Sequence, residues 1–110
     1  MEERKTVIYI SGPITGVRHY WEAFEAAEDE LSAAGFTPLS PARLPGGMST
    51  SQYMRICFAM IDSADAVLML PGWEASKGAS LERQYCLYTD KTVFASMEAL
   101  RWSEGVPRHD

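Results

Sequence analysis

Ala66-Val-Leu-Met-Leu70, closed by Pro71-Gly72, is the stretch on which the fold turns. It has the length of a strand, and it carries no polar residue on either of the faces that a strand's alternation would create. That is the pattern of a central parallel strand covered on both sides. Pro71 and Gly72 then break it, because neither residue continues a ladder well.

Upstream, Thr6-Val-Ile-Tyr-Ile10 is a second β-branched run, stopped by Ser11-Gly12-Pro13, and reads as another buried strand. From Arg18 the period changes. Tyr20, Phe24, Ala27 and Leu31 recur at helical spacing, with Glu22, Glu25, Asp29 and Glu30 on the solvated faces. Gly35 falls where a helix C-terminal cap is expected. Phe36-Thr-Pro-Leu-Ser40 is a further strand, placed at a sheet edge because Pro38 has no N–H to donate. Pro41 to Gly47 is a loop. Ser49, Thr50 and Ser51 offer N-caps for a helix running to about Ser63, with Tyr53, Ile56, Cys57, Met60 and Ile61 on its buried side.

Downstream, a helix is expected from about Lys77 to Thr89 and a strand at Thr92-Val-Phe-Ala95. The tail from about residue 97 holds one weak turn of helix and then frays. The order β-α-β-α-β-α-β over residues 1–110 predicts one α/β domain of the small flavodoxin-like or Rossmann-like kind. It has three layers, with about four parallel strands in the order 2-1-3-4 and helices on both faces. Such folds bind ligands beyond the carboxyl ends of the strands, where the strand order reverses.

The 110 residues are 46% apolar and 23% charged, with a formal net charge of −5. This composition excludes disorder, collagen and coiled coil. No apolar run approaches the ~20 residues of a membrane span, no signal peptide fits, and a cytoplasmic protein is expected. An acidic chain is ill suited to duplex DNA, whose binding rests on many cationic contacts, but it can hold one nucleotide through backbone amides and a hydroxyl. Cys57 and Cys86 lack CxxC spacing and read as reduced core thiols. Two histidines leave too few ligands for a metal site, and no cofactor is expected.

Two loops meet at the expected switch point. Ser11-Gly-Pro-Ile-Thr-Gly16 joins strand to helix, with Gly12 and Gly16 permitting close backbone approach and Thr15 adding a hydroxyl near a helix N-terminus. It is neither GxGxxG nor a P-loop, and a plain tight turn is an equal reading. Pro71-Gly-Trp-Glu-Ala-Ser-Lys-Gly-Ala-Ser-Leu-Glu82 places Trp73 as a ligand wall and Ser76 and Gly78 as a phosphate cradle. Glu82, about one turn into the following helix, is open to two readings. One is a carboxylate complementing the helix dipole, and the other is a nucleophile or base facing the crevice.

Tyr9-Ile-Ser-Gly-Pro-Ile-Thr-Gly16 and Asp65-Ala-Val-Leu-Met-Leu-Pro-Gly-Trp-Glu-Ala-Ser-Lys-Gly-Ala-Ser-Leu-Glu82 resemble the nucleoside 2-deoxyribosyltransferase-like superfamily. The likeness is nearest to a small phage and bacterial branch with a GPITG-type turn and a PGWExSxGAxxE segment, and it spans roughly Val7 to Val93. A better-understood relative is the deoxynucleoside 5′-monophosphate N-glycosidase. The resemblance implies that Glu82 is the nucleophile attacking the anomeric carbon, with the Tyr9 hydroxyl close to it. It implies that Ser76 binds a 5′-phosphate, that Gly12, Pro13, Ile14 and Thr15 line sugar and phosphate, and that Trp73 walls the base. It also implies a homodimer or higher homo-oligomer. In that oligomer Tyr85 and Tyr88 would face a partner, and Arg101, Arg108 and His109 could reach a neighbour's phosphate.

One position departs from the pattern. The superfamily's usual Asp, eight residues before the residue that here is Asp65, is Cys57. Asp62 lies nearby but more than a quarter-turn round the helix. The expected function is N-glycosidic cleavage or transfer on a deoxynucleoside or its 5′-monophosphate, with hydrolysis favoured by Ser76. The rival is a nucleotide-binding module without turnover, favoured by Cys57. A flavodoxin-like redox domain is a third reading, since fold alone does not fix function. Met48, Met54, Met60 and Met69 read as core filler or a subunit contact.

Overall fold

β1 (Val7–Ser11) and β3 (Ala66–Met69) form the centre of a parallel sheet whose order is β2-β1-β3-β4, with β2 at Thr37–Leu39 and β4 at Thr92–Phe94. The computed structural model describes residues 4–103. In the central register Ile8 pairs with Ala66, Tyr9 with Val67, Ile10 with Leu68 and Ser11 with Met69. Strand alternation then sorts the side chains by face.

Ile8, Ile10, Ala66 and Leu68 pack on one side against Phe24, Ala27 and Leu31 of α1 (Tyr20–Ala33) and Leu100 of α4 (Met97–Arg101). Tyr9, Val67 and Met69 pack on the other side against Cys57 and Ile61 of α2 (Thr50–Ser63) and Ala79 and Cys86 of α3 (Lys77–Tyr88). The result is a three-layer α/β fold with helices on both faces. Every residue of β3 is buried, as a strand without a polar face requires. β2 lies at the sheet edge, the position that tolerates Pro38.

The helix ends follow their local chemistry. After α1 the Gly35 amide bonds the Ser32 carbonyl at 3.1 Å and the Phe36 amide bonds the Leu31 carbonyl at 2.9 Å, with Gly35 at φ 91°. This is the Schellman arrangement, and Phe36 and Leu31 close it by joining the same apolar cluster. α2 begins with a capping box in which Ser49 and Gln52 satisfy each other's amides. Only Cys57 and Ile61 of α2 are fully buried, whereas Tyr53, Ile56 and Met60 are partly covered.

Glu28 departs from the solvated face of α1. It is buried and takes a two-pronged contact from Arg43, at 2.7 and 3.2 Å, tying α1 to the 3-10 turn Pro41–Arg43. Asp65 clamps the far end of the sheet, accepting from the Val7 amide at 2.7 Å and from Arg4. Its burial works against ionisation, but those bonds outweigh it and hold the carboxyl below the usual range.

The turn expected after Ser96 is the helix α4, capped by Ser96 and pinned by a fully buried Leu100. The expectation for Arg108 and His109 lies outside the described residues. No helix among the described residues is long and apolar enough to cross a membrane.

Candidate active site

The strand order reverses between β1 and β3, and a cavity of about 570 Å³ opens at the carboxyl ends of those strands. Close contact between the two strand ends shapes its base. The Leu70 amide donates to the Ser11 carbonyl at 2.8 Å. A Cβ placed on Gly12 would meet the Leu70 Cβ at 2.9 Å, so only glycine fits there. Gly12, Ile14 and Thr15 of the first loop and Ser76, Lys77, Gly78, Ala79 and Glu82 of α3 and its cap all line the cavity, as does Cys57 of α2.

Glu82 is only 6% exposed, and its Oε1 accepts a 2.7 Å hydrogen bond from Ser11 Oγ. Burial pushes the carboxyl's pKa up, and the Ser11 bond offsets part of that rise. Tyr9 reaches the same place from β1, on the α2–α3 face of the sheet. It does not line the cavity, but its hydroxyl abuts Glu82 and Cys57. That hydroxyl is completely buried and lacks a well-formed hydrogen bond among the described residues. Burial first, and the Glu82 charge second, drive its ionisation far above the ordinary tyrosine range. Cys57 is 5% exposed, and burial pushes its thiol up to about 11, so it carries its proton at neutral pH.

The rim is polar. Ser76 caps α3 by accepting from the Ala79 amide at 3.2 Å, which leaves its own O–H to donate elsewhere. The first-turn amides of Lys77 and Gly78 have no acceptor further up the helix, by helix geometry. An anion there meets amides, a hydroxyl and the positive end of the α3 dipole together.

Besides Tyr9, two residues picked from the sequence stand outside the cavity wall. Trp73 lies in the 3-10 turn Trp73–Ala75, packed on the α2–α3 side of the core with the Arg83 guanidinium 4.8 Å from its ring centre. The Arg83 guanidinium lies over its ring, and Trp73 is not among the residues that line the cavity. Pro13 faces the other loop instead, close enough that a Cβ on Gly72 would touch its ring at 3.5 Å. Asp62 is likewise remote, bonded by the Tyr85 hydroxyl at 2.6 Å, with Tyr85 stacked on Phe58 at 4.4 Å. Tyr85 is therefore engaged within the chain, whereas Tyr88 is 90% exposed.

Sequence reading missed the aromatic and apolar wall, made by Tyr20, Leu44, Tyr53 and Met54. Tyr53 is fixed by its hydroxyl's 2.6 Å bond to the Pro45 carbonyl. A signal was available. In a parallel sheet every helix that follows a strand starts at the carboxyl edge. The first turns of α1, α2 and α3 must therefore ring the site, and Tyr20, Thr50, Tyr53 and Lys77 all occupy those turns.

Fold and site together define an α/β domain with a buried carboxylate at the switch point of a parallel sheet. Over residues 6–95 the chain matches the family described as "Domain of unknown function (DUF4406)", and it belongs to that family. Among solved structures it is similar in fold to a 2-desoxiribosyltransferase from Leishmania mexicana. The TM-score is 0.65 and the identity 20%, covering 81% of this chain. The match takes in only 62% of that protein's chain. No curated protein matches the chain in sequence.

Proposed function

We propose that the protein cleaves or transfers the N-glycosidic bond of a deoxynucleoside or its 5′-monophosphate, with Glu82 as the nucleophile. The observation that carries this reading is the Glu82 carboxylate itself, sunk in a cavity of nucleotide size and aimed by Ser11. A buried, oriented carboxylate is matched to an oxocarbenium-like anomeric carbon, which it captures as a glycosyl ester. Water as acceptor completes hydrolysis, and a second base completes transfer. The Ser76 hydroxyl and the α3 amides suit a 5′-phosphate, which favours the monophosphate and hydrolysis. Tyr20 and Tyr53 offer faces on which a base can stack. The Leishmania neighbour, a 2-desoxiribosyltransferase by its description, supports the same chemistry.

A second reading has one observation in its favour. Cys57 supplies a thiol, not a carboxylic acid, on the wall facing Glu82, which suits a module that holds a nucleotide without turning it over. Incubation with each deoxynucleoside and its 5′-monophosphate, with free base measured by chromatography beside Glu82→Ala, separates the two. Base released by the wild type and not by the variant is the expected result. A nucleotide recovered bound and intact establishes the binding module instead.

A further inference from the structure

The proposed reaction needs a proton that Glu82 cannot give. A departing base leaves with the electron pair of its C1′–N bond and has to be protonated at nitrogen, while the nucleophile must be ionised. The proton-bearing side chains of the cavity are unequal candidates. Lys77 is exposed at the rim, the Tyr53 hydroxyl is spent on the Pro45 carbonyl, Thr15 and Thr50 are exposed alcohols, and Ser76 and Tyr20 are half-buried hydroxyls, Ser76 at the phosphate end of the cavity. Cys57 is different. It is buried, it projects from α2 into the same cavity as Glu82 of α3, and it keeps its proton.

The ionisable groups around this thiol come from each element packed on it. Tyr9 faces it from β1 and Glu82 from α3, where Cys86 also lies near Glu82; on α2 itself, Asp62 is held away by Tyr85. The Tyr9 hydroxyl, buried and without a well-formed hydrogen bond among the described residues, abuts both Cys57 and Glu82, so the fold sets a buried donor at the point where the two meet.

Resting on the glycosidase reading, we propose that the Cys57 thiol protonates the leaving base. In the first half-reaction a Glu82 oxygen bonds C1′ as the C1′–N bond breaks. The bond's electron pair goes to the base nitrogen, and the Sγ–H proton follows it. The thiol becomes a thiolate as the carboxylate becomes a neutral ester. In the second half, water attacks C1′, the ester's C1′–O bond returns its pair to Glu82, and the thiolate takes the water's proton. The negative charge alternates between the two residues and never rests on both. The electrostatics run the same way. Burial above all, with the Glu82 charge adding to it, keeps the resting thiol protonated, while the Tyr9 hydroxyl favours the thiolate. Esterification removes the Glu82 charge in the step in which the proton leaves.

The test uses 2′-deoxyguanosine 5′-monophosphate and its N7-methylated counterpart, whose cationic base departs without needing a proton. Wild type, Cys57→Ala, Cys57→Ser and Glu82→Ala are compared for base release in single turnover, after melting curves establish that each is folded. Loss of the acid should slow release from the parent nucleotide by about 10²–10⁴-fold and from the methylated one by less than ~10-fold, in both Cys57 variants. A loss equal for the two compounds overturns the Cys57 assignment and leaves the glycosidase reading intact. Release by the wild type from the methylated compound alone also overturns it, because no acid is then at work. No release by the wild type from either compound, and none from any other deoxynucleoside or its 5′-monophosphate, overturns the glycosidase reading, and this assignment with it.

Discussion

Ser11 Oγ and Glu82 Oε1 lie 2.7 Å apart although 71 residues separate them in the chain. The contact exists because the last residue of β1 and the second turn of α3 converge at the carboxyl edge of the sheet, where neither group is wet. A hydroxyl donating to a desolvated carboxylate favours the ionised form that a nucleophile needs. Ser11→Ala removes that donor. Glu82 should then hold its proton to higher pH, so the acidic limb of the kcat/KM profile moves upward and activity falls most at low pH. A profile that keeps its limb while losing height throughout would show that Ser11 only shapes the cavity.

The same burial puts stability and chemistry in opposition. The Glu82 pKa in the folded chain is raised above its ordinary 4.5, so its ionisation opposes folding. The folded state is favoured fully below that value and loses ground as pH rises through the raised one. Glu82→Gln, which still accepts from Ser11, removes this loss. The variant should match the wild type at about pH 4 and exceed it in Tm near neutrality. It should release no base. Calorimetry at the two pH values measures this, and a gain of the same size at both contradicts the assignment of burial as the cause.

Leu100 tests whether α4 belongs to the fold. The side chain is fully buried against the α1 face of the sheet. Leu100→Ala should cost about 2–5 kcal/mol by lost transfer energy and residual cavity, enough to lower Tm by about 10 °C or more. A frayed tail would lose almost nothing.

The sheet was legible because its signals are local. The unbroken Ala66-Val-Leu-Met-Leu70 run, the helical period through Leu31 and the Gly35 cap each follow from neighbours within a turn or two, and they lead to the β2-β1-β3-β4 order. Glu28 was less legible, because the Arg43 that draws it inward sits beyond β2. The loops at the switch point were also legible, and most residues chosen from them line the cavity. Trp73 was not, since its partner Arg83 sits one helix onward and nothing in the loop's own sequence shows that the ring is already engaged. Tyr20 and Tyr53 were hidden for the opposite reason. An aromatic at an apolar helical position looks like core until the strand direction places it at a helix N-terminus.

Gly12 and Gly78 should separate packing from ligand fit. A Cβ on Gly12 would sit 2.9 Å from the Leu70 Cβ, so Gly12→Ala must push two strand ends apart and should destabilise by about 1–3 kcal/mol. A Cβ on Gly78 would meet only the Met54 Sδ, at an ordinary 3.8 Å, and alanine is the better helix former by up to ~1 kcal/mol. Gly78→Ala should therefore keep or raise Tm. Yet its methyl group would project where the α3 amides approach an anion, so titration calorimetry should show weaker binding of a deoxynucleoside 5′-monophosphate than of the same nucleoside, relative to wild type. Unchanged binding of the monophosphate would mean that the anion does not sit on the first turn of α3.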